Sequence, residues 1–370
     1  MTLPSIAVIG AGGHGLWHRR RIAARADRIR LAGLCDVAPV RAEPDAPIPD
    51  GTPVFSDHRE LLESIRPDIV VVCTPPHTHL AIAADALRAG ADLLLEKPPV
   101  TSLAEHRELA GLLAGTGRAC QVNFQALGSP VPELLRAAVA DGGLGEIRSI
   151  GVAGAWRRPD EYYRRSPWAG RSTMDGRPAL DGALANPFAH AVMQALAVGE
   201  AVAGPGLPVG VEVERYRARE IEVDDTACLR LTLRGGPTIT VAVTLCGEEA
   251  KIEGGITVRG TGGEAFYEYP TDRLALPGRP AATVAGRVDL LDDLLDHRAN
   301  GTALRAPFAR TEPFTAVIES VVAAPVVRIP DGYVRRDGPY VTVDGVNSVV
   351  EAAAANAALF SELPAPWAIR

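Results

Sequence analysis

The first third of the chain alternates between short apolar runs and segments whose apolar residues recur at helical spacing. The apolar runs predict strands over Ser5 to Ile9, Arg30 to Cys35, Ile69 to Cys73, Asp92 to Leu95 and Ala119 to Phe124. The segments between them predict helices over Gly15 to Ala26, His58 to Ile65, His79 to Ala89 and Leu103 to Leu113. This alternation is typical of βαβ units and a parallel sheet.

The pattern changes beyond about Gly128, where the apolar segments become longer and partly alternate with polar residues. They predict strands over Glu146 to Trp156, Val209 to Tyr216, Cys228 to Leu233 and Thr238 to Leu245, and helices over Val131 to Ala140 and Phe188 to Ala197. Strands of this kind favour a mostly antiparallel sheet with helices on one face. The alanine-rich stretch Gly345 to Leu359 predicts a terminal helix.

The length of 370 residues suffices for roughly two domains with separate cores. We place them at residues 1–126 and residues 127–370, and the terminal helix could pack back on the first domain. The expected fold class is α/β. The N-terminal domain is built on a parallel sheet, and the C-terminal domain is an α+β domain with an open, mostly antiparallel sheet.

Composition and charge argue against several classes of protein. No apolar run approaches the ~18 residues that a helix needs to span a bilayer, so we expect no membrane partner. The first apolar stretch has no preceding Lys or Arg and leads directly into a glycine-rich loop, which predicts a strand in a cytoplasmic protein and not a signal peptide. The five cysteines show no C-x-x-C spacing and are interpreted as reduced packing residues. A net charge of -7 argues against a nucleic-acid partner.

A glycine-rich loop follows the first strand and opens a helical segment, which is the setting of the Rossmann dinucleotide-binding motif. Gly10 permits the tight turn, Gly12 lets the backbone approach a pyrophosphate, and Gly15 allows close packing of helix on strand. Amide groups at the helix start then point towards the phosphates. The predicted cofactor contacts in this loop are Gly10, Gly12, Gly13, His14 and Gly15.

Asp36 ends the second predicted strand, 26 positions after Gly10. Its carboxylate would accept hydrogen bonds from the adenosine ribose hydroxyls and would repel a 2′-phosphate. We therefore predict NAD as the cofactor, with NADP less favoured. The alternative is that Asp36 only caps a loop.

Further motifs resemble the glucose-fructose oxidoreductase, inositol dehydrogenase and rhizopine catabolism (Gfo/Idh/MocA) family. They are Cys73-Thr74-Pro75-Pro76 with His79, then Leu95-Glu96-Lys97-Pro98, Gly143-Leu144-Gly145-Glu146-Ile147 and Gly260-Thr261-Gly262-Gly263, and so they cover most of the chain. The resemblance implies that Thr74, Pro75 and His79 line the nicotinamide end of the cofactor. It also implies that Glu96 holds the ribose region and that Lys97 contacts both the cofactor and the reacting hydroxyl. An exposed loop lysine is the alternative for Lys97, but its place at the end of a sheet strand favours a ligand contact.

The family's catalytic segment is an acid, three further residues and a histidine. His190 matches the histidine, and Asn186 replaces the acid. Because an amide cannot take up a proton as a carboxylate does, any proton relay must run through His190, Lys97 or another group. Asn186 before Pro187 also fits a helix N-cap, which is the role we favour and which is compatible with a role in the site. His190 would then lie in the first helical turn, where the helix dipole keeps the ring available as a base; a packed core histidine is the alternative.

Aromatic residues and arginines interleave between Trp156 and Arg171. They suit a sugar ring or an anionic group, and a surface loop or subunit contact with solvated arginines is equally favoured. The predicted substrate-binding residues are Lys97, Asn123, Trp156, Arg157, Tyr163, Trp168, Arg171, Asn186 and His190. His77 and His79 have no carboxylate or thiolate set nearby, so we predict no metal site.

These features and the resemblance predict an NAD-dependent dehydrogenase that transfers a hydride at a secondary hydroxyl, or the corresponding ketone, of a sugar, cyclitol or related polyol. Its predicted catalytic residues are Lys97, His190 and Asn186. Two alternatives stay open: an NAD-dependent glycoside-cleaving enzyme that uses transient oxidation, and a non-catalytic regulator that senses NAD or a sugar. The resemblance also predicts a homodimer or homotetramer that pairs through the outer face of the second-domain sheet.

Overall fold

The computed structural model describes residues 3–368. The strands, in chain order, are β1 (Ser5–Ile9), β2 (Arg30–Cys35), β3 (Val54–Phe55), β4 (Ile69–Val72), β5 (Asp92–Leu95), β6 (Cys120–Val122), β7 (Ile147–Ala155), β8 (Thr173–Met174), β9 (Arg177–Pro178), β10 (Gly210–Arg217), β11 (Thr226–Thr232), β12 (Thr238–Thr244), β13 (Ile252–Gly260), β14 (Gly263–Glu268), β15 (Arg273–Ala275), β16 (Ala282–Thr283), β17 (Val326–Arg328), β18 (Val334–Asp337) and β19 (Tyr340–Val343). The α-helices are α1 (Gly15–Ala23), α2 (His58–Ile65), α3 (His79–Arg88), α4 (Leu103–Thr116), α5 (Val131–Ala140), α6 (Ala189–Ala203), α7 (Leu290–Asn300), α8 (Glu312–Ala323) and α9 (Val346–Asn356). Among the described residues, no helix has the length and apolar character needed to cross a membrane.

The chain forms two compact units. The first comprises Met1–Phe124 together with Asp289–Glu312, and the second comprises Gln125–Val288 together with Pro313–Arg370. The predicted boundary near residue 126 agrees with the point where the chain first passes from one unit to the other. The prediction that everything beyond it forms one domain is wrong, because residues 289–312 return to the first unit.

The first unit is built on a six-stranded sheet with the order β3-β2-β1-β4-β5-β6. Every pair in it is parallel. β1, β4 and β5 are buried along their whole length, as their unbroken apolar sequences predict. This is the doubly wound Rossmann arrangement, in which ligands bind beyond the carboxyl ends of the central strands. The two-residue strand β3 was not predicted, because it lies next to a proline-rich connection with no strand pattern of its own.

Helix α7 completes the first unit. Leu291, Leu294 and Leu295 join the core that β1 and β4 also form. On the polar side, Arg25, just after α1, donates hydrogen bonds to both carboxylate oxygens of Asp292, at 2.8 and 2.6 Å. Arg28 donates to the same carboxylate at 2.7 Å. The arginines that follow α1 therefore bind the acidic side of α7.

The second unit is built on a nine-stranded sheet with the order β16-β15-β14-β13-β7-β12-β11-β10-β17. The pairs β7 with β12 and β10 with β17 are parallel, and the other pairs are antiparallel. The prediction of a mostly antiparallel sheet is confirmed. The strands beyond β12 were not predicted, because several of them are short and interrupted by glycine and polar residues.

Helices cover both faces of this sheet, so the prediction of helices on one face is wrong. On one face, the Phe188 ring at the start of α6 lies so close to Gly154 of β7 that a Cβ there would be 2.3 Å from it. On the opposite face, a Cβ on Gly151 would lie 2.0 Å from the Ala354 carbonyl oxygen of α9. We call this second face the outer face. The terminal helix packs within its own unit, against β7 and β12.

The five cysteines are free thiols, as predicted. Four are buried and Cys73 is partly buried. Burial raises the pKa of these thiols above the ordinary value, which makes them poor nucleophiles.

Candidate functional site

The glycine loop between β1 and α1 admits no larger residue at its two ends. Gly10 has φ +84°, and a Cβ on it would lie 2.3 Å from the Cys73 carbonyl oxygen. A Cβ on Gly15 would lie 1.9 Å from the Gly10 carbonyl oxygen. Gly13, with φ +46°, faces open space. The loop therefore has the tight turn and the close helix packing that a dinucleotide-binding loop requires.

The start of α1 is suited to an anionic group. No side chain caps the helix, and no acidic residue lies in its first turn. The positive end of the helix dipole is therefore not neutralised by side chains of the helix itself. Together with the open space at Gly13, this fits a dinucleotide's pyrophosphate.

Asp36 follows β2 and binds the backbone through both carboxylate oxygens. Its Oδ2 accepts a hydrogen bond from the Gly12 amide at 2.8 Å, and its Oδ1 accepts one from the Ala38 amide at 2.9 Å. The capping role that we considered as an alternative is therefore real. Because each carboxylate oxygen can accept a further hydrogen bond and Asp36 is partly exposed, the predicted ribose contact is compatible with it.

Glu96 lies at the end of β5 and is the centre of a buried polar cluster. Its Oε1 lies 2.7 Å from His18 Nε2 and 3.4 Å from His14 Nε2, and it accepts a 2.5 Å hydrogen bond from Asn123 Nδ2. Its Oε2 accepts from the Lys97 amide at 3.1 Å. Burial alone would raise the pKa of Glu96, but the hydrogen bonds from His14 and His18 outweigh it and hold the pKa well below the ordinary value.

This cluster corrects one sequence prediction. Asn123 is buried and holds Glu96, so it does not reach a substrate hydroxyl in this arrangement. Within residues 3–368, His14, His18 and Glu96 are the one group of three ligand-type residues whose donor atoms come within 4.8 Å of one another. We interpret it as a hydrogen-bonded group, because Oε1 already has three nitrogen donors around it.

Lys97 is the partly exposed residue of a buried run. From residue 91 to residue 100 all other residues are buried, so the lysine side chain is the part of this run that reaches the surface. The peptide bond between Lys97 and Pro98 is cis. Lys97 therefore lies where the prediction placed it, at the carboxyl end of β5 and next to β4 in the sheet.

His79 contacts the loops at this edge of the sheet. Its Nδ1 lies 2.9 Å from the Pro98 carbonyl oxygen, and its Nε2 lies 2.8 Å from the Thr74 carbonyl oxygen. The ring is fully buried, and burial lowers its pKa. The predicted direct contact of His79 with a cofactor does not fit this position, since the ring joins two loops instead. Thr74 and Pro75 are partly exposed, as a lining role requires.

Asn186 and His190 lie in the second unit. His190 is in the first turn of α6, as predicted. Asn186 is not the N-cap: the helix begins at Ala189, and no side chain caps it. Instead, Asn186 Nδ2 donates a 3.0 Å hydrogen bond to Asp181 Oδ1, so the capping prediction is wrong. In residues 181–190, Asn186, Pro187 and His190 are partly exposed and the others are buried.

Two buried carboxylates that were not predicted hold this segment. Asp181 also accepts a hydrogen bond from the Gly170 amide at 2.7 Å. Asp224 accepts from the Ala183 amide at 2.8 Å and from Arg215 Nε at 2.7 Å. No periodic signal marks Asp181 or Asp224 in the sequence. His18 could have been found, since it lies four positions after His14 on one helix face.

The interleaved aromatic and basic residues contact one another extensively. The Trp156 ring packs on Phe188 at 4.3 Å between centroids, and the guanidinium of Arg158 lies 5.0 Å from the Trp156 ring. Arg157 lies over the Tyr340 ring, and Arg165 lies over Tyr162 and Trp168. These contacts favour a structural role for much of the segment.

Tyr163 and Arg171 have a different setting. They line a concavity of about 570 Å³ in the second unit. Arg171 is exposed there and Tyr163 is partly exposed, so both remain candidates for ligand contact. Burial raises the pKa of Tyr163, so its hydroxyl stays protonated at neutral pH.

Comparison with known proteins gives matches for both units. The model described as "Oxidoreductase family, NAD-binding Rossmann fold" matches residues 5–124, and the model described as "GFO/IDH/MocA C-terminal domain" matches residues 133–266. D-glucoside 3-dehydrogenase of Escherichia coli K12 is 30% identical over 158 residues, which are 41% of this chain and 43% of that protein. Inositol 2-dehydrogenase of Rubrobacter xylanophilus is 30% identical over 142 residues, which are 38% of this chain and 41% of that protein. These matches thus span less than half the length of either relative.

Solved structures resemble the whole fold. The WlbA dehydrogenase from Bordetella pertussis, solved in complex with NADH and UDP-GlcNAcA, superposes with a TM-score of 0.72 at 22% identity. The superposition covers 87% of this chain and 96% of that one. The arrangement of a Rossmann unit followed by a unit with a large, mostly antiparallel sheet is therefore shared with proteins of known structure.

Proposed function

Because the chain belongs to the Gfo/Idh/MocA oxidoreductase family, whose two domain models match it, we propose that it is an NAD-dependent dehydrogenase. Its proposed substrate is a sugar, cyclitol or related polyol, oxidised at a secondary hydroxyl or formed from the corresponding ketone. The names of the relatives, a glucoside 3-dehydrogenase and an inositol 2-dehydrogenase, support this substrate class.

The glycine loop and the uncapped start of α1 would hold the pyrophosphate of NAD. Asp36 would accept hydrogen bonds from the adenosine ribose and disfavour NADP, while Thr74 and Pro75 would line the nicotinamide end. When bound, the nicotinamide ring supplies the acceptor or donor of the hydride.

The proposed dehydrogenase function depends mainly on Lys97. The chain uses arginine 36 times and lysine only twice, at Lys97 and Lys251. Arginine is effectively always protonated, whereas a lysine ammonium is a compact charge that can also release a proton. A partly exposed lysine at the end of a buried strand can therefore polarise the substrate oxygen and stabilise the charge that develops on it.

His190 would take the hydroxyl proton during oxidation and return it during reduction. It lies in the first turn of α6, and its side chain is partly exposed. Asn186 cannot perform this role, since an amide does not bind a proton at neutral pH. The proposed catalytic pair is therefore Lys97 and His190, with Asn186 contributing a hydrogen bond.

The test is a screen of polyols and ketones in which turnover is measured by nicotinamide absorbance. It is carried out on the wild type and on three variants. Lys97→Ala and His190→Ala should each lower kcat on the best substrate by about 100-fold or more, as expected for loss of a general acid or base. NAD binding, measured by calorimetry, should change little. Lys97→Arg should also lose most activity despite its charge.

Arg234→Ala, in an exposed turn of the second unit, provides the control. Full activity of both alanine variants would remove the proposal. Release of a free sugar without net reduction of NAD would show glycoside cleavage instead.

A further inference from the structure

Arg19 is a buried arginine near the middle of α1. The residue is 3% exposed, and its Nη2 donates hydrogen bonds to the backbone carbonyl oxygens of Arg41 and Ala46, both at 2.9 Å. Its Nε is also buried, and within residues 3–368 it has no hydrogen-bond partner. A guanidinium has five N–H groups, and the two carbonyl oxygens satisfy only part of them. Arg19 therefore has hydrogen-bonding capacity that the fold does not use.

The positive charge of Arg19 is also poorly compensated. Its two hydrogen-bond acceptors are neutral carbonyl groups of the proline-rich connection between β2 and β3. Glu43 of the same connection attracts it electrostatically, but Glu43 is exposed. Burial outweighs this attraction and lowers the pKa of Arg19 below the ordinary arginine value. Because buried charges in proteins are normally paired, this guanidinium indicates an anionic partner.

A concavity of about 500 Å³ adjoins this side chain, and Arg19 is part of its lining. Most of the other residues that line it are apolar, and they include Ile22, Ile29, Leu31 and Pro47. Arg30 and Asp50 also line it, but they are exposed and opposite in sign. The volume lies within the range of about 300–1,000 Å³ that is typical of small-molecule sites. The concavity therefore combines an apolar wall with one buried cation.

The concavity lies at the opposite end of α1 and β2 from the glycine loop. Ala23, the last residue of α1, and Arg30, the first residue of β2, both line it. The glycine loop precedes α1, and Asp36 follows β2. The nine residues of α1 span about 13 Å. The concavity is therefore separate from the proposed dinucleotide site.

We propose that this concavity binds a small amphipathic anion, whose carboxylate pairs with Arg19 and whose apolar body packs against the surrounding side chains. A carboxylate can accept two parallel hydrogen bonds from a guanidinium and also compensates its charge, which a carbonyl group does not. Contacts with Ile22, Ile29 and Leu31 would remove the apolar body from water. This inference is independent of the proposed dehydrogenase function, and it assigns to the first unit a ligand other than a dinucleotide.

The first experiment measures the binding of octanoate by calorimetry, with octan-1-ol as an uncharged probe of the same length. We expect saturable binding of one octanoate per chain. Octan-1-ol should bind about tenfold more weakly or worse, because it cannot form the charge-assisted hydrogen bonds. Equal affinity for the two probes, or no saturable binding of octanoate, would overturn the proposal.

The same titration is repeated with saturating NAD, and the affinity for octanoate should not change because the two sites are separate. Loss of octanoate binding under these conditions would place the anion in the dinucleotide site and refute the assignment to the concavity.

A second experiment keeps Arg19 and its two carbonyl contacts but supplies a carboxylate from the protein itself. Ala23 lies four positions after Arg19 on α1, so a glutamate there can pair with the guanidinium. We expect Ala23→Glu to bind octanoate about tenfold more weakly, or worse, than Ala23→Gln, which introduces a side chain of nearly the same size without a charge. Circular dichroism checks that both variants are folded. The same octanoate affinity in both would contradict the role of Arg19.

Arg19→Met removes the guanidinium and retains an apolar side chain. Octanoate should then lose its advantage over octan-1-ol. The matched control is Arg20→Met, which changes the next residue of α1, an exposed arginine whose partner is Asp45 at 2.8 Å, and it should leave octanoate binding unchanged. A folded Arg19→Met variant that binds octanoate as tightly as the wild type would exclude the site. If Arg19→Met does not fold, the comparison of the two Ala23 variants still decides.

Discussion

The buried carboxylate of Glu96 is stabilised by its immediate neighbours. His14, His18, Asn123 and the Lys97 amide surround its two oxygens, so the charge is compensated although the residue is only 5% exposed. A buried ionised group with this number of donors can remain charged, whereas one without them would be protonated. Glu96 therefore also holds the start of α1 on the end of β5.

Replacement of Glu96 by Gln should lower the free energy of unfolding at pH 7 by about 1–3 kcal/mol. The reason is that the Gln amide nitrogen would face hydrogen-bond donors from which it cannot accept. The folded-state pKa of Glu96 lies below its unfolded value of about 4.3, so ionisation stabilises the fold above that pH. This contribution is lost as the pH falls below 4.3 through the folded-state pKa. Urea unfolding of both proteins at pH 7, 5, 4 and 3.5 should show the difference between them shrinking at the acidic end. A difference that stays constant with pH would contradict this assignment.

At the level of single residues, the sequence predicts positions better than partners. The glycine loop, Lys97 and His190 lie on the elements expected from strand and helix patterns. Asn186 and Asn123 have other partners than those predicted, because a side chain's hydrogen bonds depend on residues distant in the chain or outside any periodic pattern. His79 illustrates the same limit: its motif placed it at the correct edge of the sheet, but its burial decides that it supports the loops.

Among the elements, α7 shows what a local pattern cannot reveal. Its own sequence has a capping aspartate, Asp289, and leucines at helical spacing, so the helix itself is predictable in principle. Its place in the first unit is not, because its partners Arg25 and Arg28 lie more than 260 positions earlier. The parallel sheet of the first unit was easier to predict, since each of its central strands is a short apolar run between helices.

The contact between α7 and the turn after α1 should depend on Asp292. Asp292→Ala removes the paired hydrogen bonds of Arg25 and the one of Arg28, and we expect a loss of about 1–2 kcal/mol in the free energy of unfolding, because the pair is charged and partly buried. Asp296→Ala removes a more exposed pair with Arg28 and should cost less than about 1 kcal/mol. Urea unfolding followed by circular dichroism measures both. Equal losses in the two variants would show that the Arg25 pair has no special role.

For the molecule as a whole, the C-terminal segment decides which surfaces are available. α9, together with Phe360 and Trp367, covers the outer face of the large sheet. Trp367 is 1% exposed and packs against Tyr216 of β10 at 5.6 Å between centroids. Two copies that paired through this face would first have to displace the segment. We therefore expect any dimer to use another surface.

A chain that ends at Asp344 lacks this cover. Removal of α9 and the residues after it exposes apolar side chains of β7, β11 and β12, which include Cys228 and Ala242. Exposed apolar patches of this kind favour self-association. Multi-angle light scattering should show a larger mass for the truncated chain than for the full chain at equal concentration. Glu351→Gln, an exposed change on α9, serves as the control and should leave the mass unchanged. An equal mass for the truncated and full chains would mean that the segment does not protect the sheet.

The return of residues 289–312 to the first unit imposes an order on synthesis in the cell. The ribosome releases the whole Rossmann sheet long before it makes α7, and at roughly 5–20 residues per second the intervening chain takes on the order of ten seconds or more. During that interval the apolar side of the nascent sheet and the arginines that follow α1 lack the helix that later covers them. Chaperones that bind basic and apolar segments can therefore act on this protein during a defined interval. The interval ends when Asn300 has left the exit tunnel.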